Sequence, residues 1–157
     1  MEFSGMGNAP LEPARFLRRS HALSIPALAA SPDWREADGF FVAEPGSALT
    51  AFAHEALDRE GFGLDDDLTL LRHAAGGRGL PESPRSAGAF GFTIDLTTAR
   101  RTLDGGLLLF ADGSGRVIGW RAEAGALVLW NGEDPQLTEL APGSPDRLTL
   151  IGRARAL

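Results

Sequence analysis

Beyond Leu68 the chain is cut into short apolar runs, at 68–73, 87–97, 107–110, 116–121, 126–130, 136–140 and 147–153, with Gly, Pro and Asp between them. Such runs, closed by turn formers, make strands, because side chains that alternate across a pleated ribbon let each run bury one face. Seven strands at this spacing imply a sandwich or jelly roll, a mainly β fold of the α+β class. No fixed-period repeat is present, and the one biased tract is the Gly-rich loop at 74–79.

Upstream, Phe40, Phe41, Val42 and Ala43 form a short apolar strand ended by Pro45 and Gly46. Ser47 then reads as an N-cap ahead of Leu49, Phe52, Ala53, Ala56 and Leu57, which recur at helical spacing until Gly61. The segment 14–30 mixes Arg15, Arg18, Arg19 and His21 with Phe16, Leu17, Leu23 and Ile25, a pattern that suits either an edge strand or a short helix. Residues 1–13 are polar, rich in Gly, Asn and Pro, and without period, so they read as a flexible lead-in.

Composition removes several function classes. A chain of 157 residues supports one core and hence one domain. It contains no cysteine, which excludes disulfides, thiolate zinc sites and a cysteine nucleophile. Its 15 basic residues are all arginine, so lysine Schiff-base chemistry and a phosphate-loop lysine are excluded too. A net charge of -6 with dispersed arginines argues against nucleic acid, whose backbone needs a concentrated basic face. No run of about 18 apolar residues could span a bilayer and no signal core follows a basic flank, so no membrane is expected and a cytoplasmic location is.

Motif chemistry is thin. Asp65, Asp66 and Asp67 lack the alternation, central glycine and later glutamate of a calcium loop. No Gly-x-Ser-x-Gly elbow exists, and Ser83 and Ser86 have no evident His-Asp partners. Gly76, Gly77, Arg78 and Gly79 lack the strand-to-helix setting of a phosphate cradle. Trp120, Trp130, Phe90, Phe92 and Phe110 read as core.

A series of segments carries a resemblance: Leu71-Arg72-His73-Ala74-Ala75-Gly76, then Phe92 to Thr97, Gly105 to Phe110, Gly125 to Trp130, and finally Arg147 with Thr149 two residues on. In this order they are similar to the iron(II)/2-oxoglutarate dioxygenases, in particular the prolyl-hydroxylase-like branch, over roughly 68–152. The resemblance implies a double-stranded β-helix, jelly-roll or cupin-like, with one or two flanking N-terminal helices. The boundaries expected are a lead-in at 1–13 and a single domain at 14–157, with a helix at about 47–60 and barrel strands at about 68–153.

The same resemblance implies a His-x-Asp pair near Glu82 and a distal histidine at Leu137, and neither position holds a histidine. Non-haem iron needs two imidazoles and a carboxylate on one face. The three histidines, His21, His54 and His73, lie elsewhere, and no metal is expected. Arg147 and Thr149 match the family's carboxylate-holding pair: a guanidinium fork can grip a carboxylate, and alternation puts both side chains on one face. They would hold 2-oxoglutarate or a similar anion without iron, or Arg147 would pair with Glu139, which by alternation shares the face of Leu137. Asp95, Glu139 and Trp130 are further candidates to line the lumen, and a carboxylate pair of Asp95 with Glu139 could serve acid-base work.

The expected role is that of a pseudoenzyme or binding module for a small carboxylate or a protein partner. An active oxygenase, or a metal-independent enzyme using a repurposed lumen, is the alternative. A structural domain that forms a homodimer through strand edges is the second. Replacing Arg147 is expected to abolish carboxylate binding and leave the fold intact.

Overall fold

The computed structural model describes residues 25–26, 32–65, 68–82, 88–97, 104–111, 114–121 and 123–157, and residues 17–20 as backbone. Along the chain lie β1 (Leu17–Ser20), β2 (Arg35–Glu36), β3 (Phe41–Ala43), α1 (Gly46–Arg59), β4 (Phe62–Leu64), β5 (Thr69–His73) and β6 (Phe90–Asp95). There follow β7 (Leu108–Ala111), β8 (Val117–Trp120), β9 (Leu127–Trp130), β10 (Gln136–Leu137) and β11 (Arg147–Ala156). The lead-in at 1–13 lies outside the described residues, and of the segment at 14–30 the described part contains the strand β1.

Two antiparallel sheets face each other. The large one runs β1-β9-β6-β11-β5-β3-β2, with β4 also on β11, and the small one runs β10-β7-β8. All seven barrel strands expected from the sequence are present. The architecture is the double-stranded jelly roll, with one helix among the described residues.

Alternation along the large sheet sorts the core into two layers. On one face, Leu70, Phe92, Ile94, Leu127, Leu129 and Leu150 bury against the Leu49, Phe52, Ala53, Ala56 and Leu57 stripe of α1. The other face turns Val128 and Trp130 toward Leu108, Phe110 and Leu137 of the small sheet. The helix therefore seals the outside of the large sheet and leaves its inner face to form the lumen.

Both helix ends differ in instructive ways. Gly46 takes a left-handed φ of +83°, starting α1 one residue before Ser47, and Pro45 stands at the cap without a side-chain hydrogen bond. Ser47 is therefore inside the first turn rather than capping it. At the other end Gly61, at φ +84°, donates to the Asp58 carbonyl and stops the helix as the sequence indicates.

The small sheet has one covered edge. The loop 74–80 stands against β10: Gly76 N–H donates to Leu140 O (3.0 Å), Leu140 N–H to Gly77 O (2.9 Å) and Gly79 N–H to Leu137 O (3.2 Å). This loop brings Leu80 to the lumen.

Gly91 pairs across the strands with Trp130, and a methyl group on Gly91 would fall on the indole ring. Gly91→Ala is expected to lower stability by about 1–3 kcal/mol through this overpacking. Gly119→Ala, whose added carbon meets Leu109 at an ordinary 3.5 Å, should stay within about 0.5 kcal/mol. Urea denaturation of the two variants compares them directly.

Candidate functional site

Strand β11 supplies the lumen with its odd-numbered residues. Arg147 pairs in register with His73 on β5, and Thr149 pairs with both Leu71 on β5 and Asp95 on β6. Paired residues share a face, so Arg147, Thr149, His73, Asp95 and Thr93 point between the sheets, all buried. Arg147, Thr149, Thr93 and Asp95 form the polar wall of a cavity of about 20 Å³, with Leu80, Leu108, Leu137 and Gly106 opposite.

The Arg147 guanidinium is already held. One terminal nitrogen, Nη1, donates to Gly106 O at 2.6 Å, and the other, Nη2, to Gly105 O at 3.2 Å. The two glycines, at φ +75° and +69°, turn their carbonyls to this task, and any side chain at Gly106 would occupy the space of the guanidinium itself. The expected pairing with Glu139 is corrected by the structure. Strand β10 ends at Leu137 and Thr138 Oγ1 accepts the Leu107 N–H at 2.7 Å, so the alternation breaks and Glu139 emerges on the exposed surface. With Glu139 outside, an Asp95–Glu139 carboxylate pair in the lumen does not form.

The remaining candidates divide in the same way. Asp95 is in the lumen, where its Oδ1 accepts the Thr97 N–H at 2.8 Å. Trp130 is wholly buried wall, with Nε1 donating to Asp134 Oδ1 at 3.0 Å. Asp134 also receives a two-pronged pair from buried Arg153, at 2.9 and 2.8 Å. Glu82 is exposed. His54 stands on α1, beside an open cleft formed with Ser47 and Thr50, away from the lumen. His21 lies outside the described residues.

These residues do not fit an iron centre. Leu137 is buried in the lumen beside Leu80, across the Gly79–Leu137 hydrogen bond, and a leucine has no lone pair to give. Among the described residues no three His, Cys, Asp or Glu side chains gather closely enough to hold a metal ion. The space fits 2-oxoglutarate no better, since about 20 Å³ is room for roughly one water molecule.

His73 is the lumen residue that sequence reasoning placed least well. It is 0 % exposed, its Nε2 lies 2.8 Å from Gly79 O, and its Nδ1 has no hydrogen-bond partner. A carbonyl can only accept, so Nε2 carries the proton and Nδ1 presents a bare lone pair. Burial pushes the imidazole below its ordinary pKa of 6.5; the Gly79 bond opposes this, and the Arg147 charge adds to it. Leu80 and Thr93 were also missed, because a glycine loop and a strand interior carry no motif. Alternation from Asp95 back to Thr93 was the available signal.

Two outcomes follow from this geometry. Arg147→Met strips the donors from two buried carbonyls, so a loss of roughly 2–5 kcal/mol in urea denaturation is expected, rather than an intact fold. As pH falls below the ordinary histidine value the unfolded chain takes up a proton before folded His73 does. The stability this residue contributes is therefore full above about 6.5 and declines below it. Denaturation midpoints measured from about pH 7 to about pH 5 should fall, and His73→Gln should flatten that portion of the curve.

No protein-family model and no curated protein matches the chain. Among solved structures, the chain is similar to a prolyl-4-hydroxylase from Pseudomonas putida, with a TM-score of 0.57 and 20% sequence identity over 80% of this chain and 78% of that chain. At that identity the likeness is one of fold, and it agrees with the strand order and facing sheets described above: the chain has the jelly-roll architecture of a prolyl-4-hydroxylase.

Proposed function

We propose that this chain is an oxygenase-like domain without the dioxygenase reaction, a pseudoenzyme that works as a binding module for a small carboxylate or a protein partner. The observation that supports it is the apolar side of the lumen formed by Leu80, Leu108 and Leu137: Leu137 stands where the resemblance expects a histidine, and the polar side opposite brings one carboxylate, Asp95, and no imidazole to the cavity lining. Function resides in the site rather than the fold, so likeness to a hydroxylase carries the architecture only.

What the chain's own residues can do is bind and orient. Arg147 offers a fork suited to a carboxylate, Thr149 on the same face offers a hydroxyl, and the surrounding apolar wall excludes water. To grip a carboxylate, Arg147 must exchange the Gly105 and Gly106 carbonyls for it. A second reading, a packed structural domain, is favoured by the small volume of the cavity. No helix among the described residues is long and apolar enough to cross a membrane, and the lack of cysteine suits the reducing setting of a cytoplasmic protein.

Elemental analysis after anaerobic reconstitution should find far less than one iron per chain. Calorimetric titration of 2-oxoglutarate should give no manganese-dependent binding. About one iron per chain, or binding that needs manganese, would return the domain to the active oxygenases. Binding that is independent of metal supports a carboxylate module. No binding under either condition supports a scaffold for a protein partner.

A further inference from the structure

Beside α1 the large sheet has an open border. Strand β3 runs along the outer edge of β5 with Ala43 opposite Leu70, and the same register brings Pro45 opposite Leu68. Proline has no N–H to give a ladder, so pairing ends there and the chain turns into α1. Beyond that point the edge continues as β4, with no strand alongside it among the described residues.

The pairing of β4 with β11 fixes which backbone groups this edge presents. Asp65 N–H donates to Arg153 O (2.8 Å) and Leu157 N–H to Gly61 O (2.9 Å), so 61, 63 and 65 turn their polar groups toward β11. Antiparallel bonding alternates, and Phe62 and Leu64 therefore direct theirs the other way. Leu64 borders a cleft of about 580 Å³, walled on one side by the stripe of α1 formed by Ser47, Ala51 and His54. Leu68 continues its apolar floor, and Glu44 is the one acid among the residues lining it.

We propose that this cleft docks an extended segment of a partner protein, which adds to β4 as a strand in line with β3 and carries a basic residue between apolar ones. An unpaired strand edge is a template for another strand, since its donors and acceptors are already aligned. The segment residue opposite Leu64 exchanges two main-chain bonds with it and shares its face. Leu64 and Leu68 pack on the core under α1, so that residue is apolar, as valine is. Its neighbours alternate away from this face, and a basic side chain there answers Glu44. No other lining group is charged at neutral pH, and the chain's net charge of -6 favours a partner of the same positive sign. The site lies outside the lumen, so it stands or falls apart from the iron and manganese outcomes.

The probe is a capped pentapeptide, Thr-Val-Arg-Val-Thr, titrated into isotope-labelled protein and followed by the backbone amide resonances. Leu64 should shift saturably. With about nine-tenths of the protein occupied its hydrogen exchange should slow about tenfold, while Gly63, turned toward β11, changes far less. A peptide N-methylated on both valines loses the donors that face β4 and should bind at least about tenfold more weakly. Methylating the arginine nitrogen, which faces solvent, should be tolerated. Exchanging arginine for glutamate in the peptide should weaken binding by about two- to fivefold, and Glu44→Gln in the protein should erase that difference. Glu44 is exposed, so this variant keeps the fold. No saturable shift at Leu64, equal affinity for the valine-methylated peptide, or no preference between arginine and glutamate overturns the proposal. Protection of Leu64 that rises with protein concentration in the absence of peptide overturns it too, for a second copy of the chain would then fill the edge.

Discussion

The contact between Arg147 and the carbonyls of Gly105 and Gly106 ties the large sheet to the entrance of the small one, and much of the interior is arranged to allow it. Only glycine leaves room for a guanidinium at position 106, and both glycines need left-handed backbone to aim their carbonyls inward. Gly105 then bridges to Leu140, which is itself bonded to the 74–80 loop. One buried cation is thus connected through backbone groups alone to the β7 entrance, the β10 edge and the loop that covers it. Charge-assisted bonds of this kind are stronger than neutral ones, and removing the donor leaves two acceptors stranded away from water.

At the other end of the lumen a second arginine is managed differently. Arg153 lies on the same face of β11 but grips Asp134, and the same carboxylate receives the Trp130 indole, whose ring fits because Gly91 has no side chain. A paired cation of this kind is locked, since separating it would bury an unpaired charge. Arg147 differs in that it bonds to the main chain, to the carbonyls of Gly105 and Gly106, and so fixes the backbone of the β7 entrance.

Much of the architecture was legible in the sequence because strands announce themselves by period and by the Gly, Pro and Asp that stop them. The seven barrel strands and the helix ended by Gly61 came from those signals. What was hidden was position in space. The alternation that should have turned Glu139 inward fails because Thr138 uses its hydroxyl to bond Leu107, a side-chain choice invisible in a run of residue types. The 74–80 loop reads as a flexible glycine tract, yet its backbone closes the edge of β10 and delivers Leu80 to the lumen. His73 looked like an ordinary strand residue. Its significance arises from the register that sets it beside Arg147, and register is a relation between strands 74 positions apart.

The candidate site was therefore half readable: the Arg147-x-Thr149 spacing fixes two side chains on one face, but not what the guanidinium touches. The guanidinium donates to the carbonyls of two glycines, a contact that no spacing along the sequence displays. Its register partner His73 is equally opaque to sequence reading, for nothing local shows that Nδ1 is buried without a hydrogen-bond partner. Strand register, not any local run of residues, gathers Arg147, Thr149, His73, Thr93 and Asp95 on one buried face, and that gathering is what a single sequence leaves unread.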